Sequence, residues 1–103
     1  MILEVAQIDV RTGTADAFER SLREAVVLLE RMQGFHGVEL LRSIEVPDRY
    51  RLLVKWDRVE SHTEGFQKSI AFQHWRNLIG QYFCQLPAVE HMEFVLSKGA
   101  GAS

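Results

Sequence analysis

Residues 2–10, ILEVAQIDV, are mostly apolar and rich in β-branched side chains, and the polar run Arg11-Thr12-Gly13-Thr14 closes them. That pattern predicts a strand. From Ala15 the spacing changes. Ala15, Phe18, Leu22, Ala25, Val26, Leu29 and Met32 recur at three- and four-residue steps. This is the mark of an amphipathic helix of about five turns. Thr14 stands at its N-cap position, with Ala17 where a capping box would place Glu. Gly34 is the expected stop. The segment FHGVELLRSIEV, 35–46, predicts a second strand. Pro47-Asp48-Arg49 predicts a tight turn. YRLLVKW, 50–56, then forms a hairpin with the second strand. Helical structure is expected to resume between Asp57 and Ser61 and to continue through Phe66, Ile70 and the segment from Phe72 to Phe83. Pro87 ends it. AVEHMEFVL, 88–96, predicts the last strand.

The order is β-α-β-β-α-β. With right-handed crossovers it gives an α+β, ferredoxin-like plan: a four-stranded antiparallel sheet with both helices on one face. One domain is expected over residues 1–96, with a flexible tail of small and polar residues over 97–103. A sheet with one wet face alternates cleanly between apolar and polar. ILEVAQI, VELL and LLVKW instead place apolar groups on both faces. The second face therefore needs a cover. A second copy of the chain is the simplest one, so a homodimer packed sheet against sheet is expected.

Composition narrows the class. The chain has 103 residues, 47% of them hydrophobic and 25% charged, which fits one globular domain. A net charge of −2 argues against nucleic acid as a partner, because phosphate binding needs a basic face. The single cysteine, Cys84, permits no intrachain disulfide and points to a reducing, cytoplasmic setting. It lacks a neighbouring histidine or basic cluster and is expected as a buried thiol. Glu4 falls where a signal peptide would be basic or apolar. No apolar run reaches membrane-spanning length, so no membrane association is expected.

The window WDRVESHTEGFQKSIAFQHW, 56–75, concentrates rings and imidazoles. His62 and Phe66 are four apart and share a helical face. With Phe66 inward, His62 stands at the wall or rim of a pocket. An imidazole with an ordinary pKa of about 6.5 accepts a phenol proton near neutral pH. The same position also suits a helix-start histidine bonded to a backbone carbonyl. Trp75, Ile79, Tyr82 and Phe83 form a stripe with Phe72, which reads as core and, in a pocket between helix and sheet, as a stacking wall. Arg76 suits either an anionic substrate oxygen or a surface ion pair. Trp56 closes the third strand as a packing anchor. His36 lies in a loop-to-strand turn, and His74 lies off the stripe in solvent. His91 shares a strand face with Val89, Glu93 and Val95, placed for a hydrogen bond between subunits. No two histidines have metal-ligand spacing, so no metal is expected. No glycine-rich phosphate loop appears, so no flavin or nicotinamide cofactor is expected.

The set W-x5-H-x3-F-x2-S-x2-F-x2-W, here Trp56, His62, Phe66, Ser69, Phe72 and Trp75, resembles the antibiotic biosynthesis monooxygenase family. GFHGVELLRS and VEHMEF resemble it too, and the likeness runs from Ile2 to about Leu96. It implies a dimeric α/β barrel, in which two ferredoxin-like subunits share a central barrel and each keeps a pocket between its sheet and its helices. It also implies a cofactor-independent oxygenase that oxidises a small phenolic, quinol or polyketide-like aromatic with molecular oxygen. In that reading His62 accepts a proton, Arg76 holds an anion, and Trp56, Phe66, Phe72, Trp75 and Tyr82 surround the substrate. A non-enzymatic ligand-binding or stress-response dimer is the alternative within the same fold. Haem-degrading members carry an Asn, a Trp and a proximal His where this chain has Ala6 or Gln7, Phe66 and Arg76. A haem iron needs such an axial ligand, so the resemblance does not extend to haem.

Overall fold

A computed structural model describes residues 1–101. The last two positions of the expected 97–103 tail lie outside the described residues. Strand β1 spans Ile2–Asp9, helix α1 Ala15–Glu30, β2 Phe35–Arg42, β3 Arg49–Trp56, helix α2 Ile70–Ile79 and β4 Ala88–Glu93. A π-helical turn, Ser61–Phe66, precedes α2, and a 3-10 turn, Gly80–Tyr82, follows it. The sheet order is β2-β3-β1-β4, antiparallel throughout. This is the ferredoxin-like arrangement that the order of elements predicts.

The two-residue period of a strand decides what each face meets. Glu4, Ala6 and Ile8 of β1 point toward the helices, as do Tyr50, Leu52, Val54 and Trp56 of β3, and all are buried. Phe18, Leu22, Ala25 and Leu29 of α1 cover that face. Burying side chains of this size stabilises the fold by about 1.5–3 kcal/mol each. The opposite face carries Leu3, Val5 and Leu53, half-buried, with Leu41 50% and Met92 46% exposed. The apolar second face expected from the sequence is therefore present.

Several boundaries differ from the expected ones. β2 stops at Arg42, because Ser43 to Asp48 form a closed loop. In that loop Ser43 Oγ accepts from the Val46 amide and the Arg49 amide donates to the Val46 carbonyl. β4 stops at Glu93, the partner of Ile2 and the last pair of that ladder. The Thr14 hydroxyl donates to the Arg11 carbonyl at 2.6 Å and caps no helical amide. Helix α1 ends at Glu30, ahead of Gly34. Gly34 instead takes φ +86°, and a Cβ there would collide with the Asp57 carboxylate. The second helical region is broken rather than continuous. Ser69, extended at ψ 161°, breaks the chain's helical course after the π turn and caps α2 by accepting from the Phe72 amide. Cys84, expected as buried, is exposed. Its amide donates to the Asp9 carbonyl at 2.8 Å, while the neighbouring Phe83 packs against the core.

Candidate active site

A cavity of about 880 Å³ lies between the β1 and β4 half of the sheet and the segment running from the π turn to Pro87. Its size suits a drug-sized or polycyclic ligand. The sheet supplies Glu4, Ala6, Ile8, Leu52 and Val89 to its wall. The helical side supplies His62, Phe66, Phe72, Trp75, Ile79 and Phe83. Gln67, Gln73, Arg76, Asn77 and Gln85 add a polar rim.

Of the seven residues that the family resemblance assigns to a site, five meet at this cavity: His62, Phe66, Phe72, Trp75 and Arg76. Phe66 anchors the group. It meets Phe72 edge-on at 5.3 Å and Trp75 edge-on at 5.7 Å between ring centroids. The Arg76 guanidinium rests 6.0 Å from the Phe72 ring centre. Two residues are not brought in. Trp56 lies one layer beneath the wall, fully buried, with the His62 ring stacked on it at 5.8 Å. Tyr82 turns toward α1, where its hydroxyl is 3.1 Å from Ser21 Oγ and its ring meets Phe18 edge-on. It belongs to the 3-10 turn rather than to α2, so the helical stripe that places it on the wall does not continue that far. His36 and His74 are exposed and apart from the cavity.

The chemistry gathers at the closed end. Glu4 is only 7% exposed and His62 only 2%. Trp56 Nε1 donates to Glu4 Oε1 at 2.9 Å. His62 Nε2 lies 3.3 Å from the same oxygen. On its other side His62 Nδ1 is 2.8 Å from His91 Nε2. The π turn makes this possible. Its wide i to i+5 closure, seen in the Gln67 amide donating to the His62 carbonyl at 2.8 Å, buries both His62 and Phe66. Such turns frequently mark functional positions. His91 lies directly opposite Glu4 in the β1–β4 ladder, so both side chains share the helix-facing side. The expected intersubunit bond of His91 is thus made within the chain.

Burial sets the protonation of this corner. Desolvation pushes Glu4 up to about 7, against a smaller downward pull from the Trp56 hydrogen bond. Desolvation and the nearby His91 push His62 down to about 4. Both shifts favour uncharged forms, as expected where charge loses water and gains no counter-ion. His62 is therefore neutral at pH 7, and Glu4 is the group that changes charge there. His62 turns different nitrogens to Glu4 and His91, so the three make a chain rather than a convergent ligand set. Among the described residues no cluster of His, Cys, Asp or Glu is placed to hold a metal ion.

Sequence reasoning missed Glu4 and the role of His91. Glu4 did leave a signal. It shares strand parity with Ala6 and Ile8, so an acid sits on the inward face of an apolar strand.

The family model for antibiotic biosynthesis monooxygenases matches residues 1–78. An uncharacterised protein of Bacillus subtilis, YczJ, is 34% identical over 95 residues, which are 92% of this chain and all of that one. A solved structure from Bordetella bronchiseptica, provisionally named an antibiotic biosynthesis monooxygenase, is 44% identical with a TM-score of 0.91. That match covers 92% of this chain and 97% of the other. A protein of Nitrosomonas europaea with the same provisional name is 16% identical with a TM-score of 0.78, over 93% of this chain and 100% of the other. At that identity the likeness is one of fold alone.

Proposed function

Because this chain belongs to the antibiotic biosynthesis monooxygenase family, we propose that it oxidises a small phenolic or quinol-like aromatic with molecular oxygen, with Glu4 as the base. The observation that carries this reading is a buried carboxylate, poised at about 7, facing a ring-lined cavity of about 880 Å³. A general base works best when its pKa lies near the working pH. His62, pushed down to about 4 and so uncharged near neutrality, orients Glu4 through their 3.3 Å contact rather than taking the substrate proton itself.

In the proposed reaction Glu4 removes a proton from an acidic ring carbon or hydroxyl. The resulting carbanion is stabilised by the neighbouring ring oxygens, with Arg76 facing the developing negative charge. It adds to oxygen and forms a carbon-bound peroxide, so the substrate itself supplies the electrons. Glu4 returns the proton, and loss of water from the peroxide leaves a new carbonyl. One oxygen atom enters the product and the other leaves as water. Phe66, Phe72 and Trp75 offer ring faces and edges for a flat substrate. The proposed working unit is a homodimer closed through the outer sheet face, which the exposed Leu41 and Met92 support.

The test is oxygen uptake by the purified, metal-stripped protein against anthrones, naphthols and quinols. Catalysed uptake that Glu4→Gln removes is the expected result. Tight ligand binding with no oxygen consumed across the panel would overturn the reading in favour of a binding protein.

A further inference from the structure

A base at the closed end of a cavity has a practical difficulty. Once the cavity is occupied, the ligand stands between the carboxylate and water. A route leads from Glu4 out of the cavity. Beside Glu4 on the wall stands His62, and beyond His62, outside the cavity lining, lies His91 on β4, an edge strand, where the ring is partly exposed. We propose that Glu4, His62 and His91 form a proton relay, with His91 as the port through which the cavity base exchanges protons with solvent. This rests on the reading of Glu4 as the base.

The atoms balance along the chain. In the protonated state Glu4 carries its proton, His62 carries its own on Nδ1 facing His91 Nε2, and His91 carries one on Nδ1. The Glu4 proton passes to His62 Nε2, the His62 Nδ1 proton passes to His91 Nε2, and the His91 Nδ1 proton leaves to water. Both rings end neutral and in the opposite tautomer. Glu4 ends ionised, and solvent has gained one proton. No step requires a charged His62 to persist, which matters because that ring is 2% exposed and stacked on Trp56. The 2.8 Å contact between the rings is of hydrogen-bond length. The 3.3 Å contact to Glu4 is looser, as catalytic contacts often are before a ligand closes the site.

Few other charges intrude. Arg76 reaches the same cavity from α2. Glu93 follows His91 by two on the same strand face, at the register of Ile2. From the π turn, Glu64 is paired with Lys68 at the surface. On β3 the helix-facing neighbour is Trp56, and Lys55 points to the other face. Glu4 is therefore the acid whose proton the relay carries.

The test is nitrogen-15 NMR of histidine-labelled protein across the titration of Glu4. His62 and His91 are expected to switch together from Nδ1–H to Nε2–H as pH rises, with one midpoint. Glu4→Gln is expected to abolish the switch. A His62 that keeps one tautomer throughout, or a His91 whose tautomer does not change with that of His62, would overturn the relay. In kinetics, His91→Gln is expected to slow turnover by about tenfold or more at low buffer, with added imidazole restoring it as an external proton carrier. Slowing that imidazole does not relieve would make His91 a packing residue and overturn its role as port. The two readings also separate. Coupled tautomers with oxygen uptake intact in Glu4→Gln would sink the base and keep the proton path. Lost uptake in that variant with fixed tautomers would keep the base and sink the path.

Discussion

The helix-facing side of the sheet carries two pairs in which an aromatic side chain donates to a carboxylate, one at each end. At one end Tyr50 Oη donates to Glu19 Oε2 at 2.5 Å. There Glu19 also lies 3.6 Å from Arg42 and 4.0 Å from Arg23. At the other end Trp56 Nε1 donates to Glu4 Oε1 at 2.9 Å, and the nearest basic group is a neutral histidine. The first carboxylate is partly exposed and balanced by cations, and the ring beside it, Phe18, packs directly on Tyr50 at 4.9 Å. The second is buried, has no cation, and opens onto the large cavity. Packing accounts for the first arrangement. An uncompensated buried acid costs stability, and a site of chemistry is the usual reason for keeping one.

The largest expected contrast is between two isosteric changes. Glu4→Gln should lower oxygen uptake by about 100-fold or more, the usual worth of a positioned base, with the fold kept because the amide oxygen still accepts from Trp56. Glu19→Gln should leave uptake nearly unchanged and cost about 1 kcal/mol, the worth of one strengthened hydrogen bond. Uptake assays and denaturant titrations of both variants measure the pair. Equal losses of activity would erase the distinction between the two ends.

Stability against pH should separate the ends next. The pKa of Glu4 rises on folding from 4.5 to about 7, so its contribution is full below 4.5 and is lost as pH climbs through 7. The pKa of His62 falls on folding from 6.5 to about 4, so its contribution is full above 6.5 and is lost as pH drops through 4. Each amounts to about 3 kcal/mol, and in the intact protein the two slopes offset between them. Glu4→Gln should therefore become more stable as pH rises from 4 to 6.5. His62→Gln should become less stable as pH rises from 4.5 to 7. Parallel slopes in the two variants would contradict the burial argument.

Trp56→Phe should act on the same acid through its hydrogen bond. The bond lowers the Glu4 pKa, so its loss should move the activity midpoint above about 7, at a packing cost of about 1–3 kcal/mol. An unmoved or lowered midpoint would remove Trp56 from the electrostatics. The smallest effect is expected at the rim. Arg76→Ala should raise KM by about fivefold, of the order of one exposed charge contact, and leave the pH midpoint in place.

The fold was legible because its signals are periodic. A two-residue period in β1 and β3 and a three- to four-residue period in α1 specify which faces meet. The cavity wall was legible in part for the same reason, since His62, Phe66, Phe72 and Trp75 follow helical spacing. What escaped was set by contacts far apart in sequence. Glu4 meets Trp56 across 52 positions and His62 meets His91 across 29, and no local pattern announces either. Tyr82 was misplaced because α2 stops at Ile79 and the tighter turn rotates the following ring toward α1. The π turn itself was invisible, because His62 and Phe66 share a face in either kind of helix.

The central claim is that Glu4, not His62, is the group that changes charge in the cavity near neutrality. Carbon-13 NMR of glutamate-labelled protein, with Glu4 assigned by its loss in Glu4→Gln, measures this without any substrate. The account predicts one carboxyl titrating with a midpoint at about 7. A Glu4 that titrates at the ordinary 4.5 would contradict it.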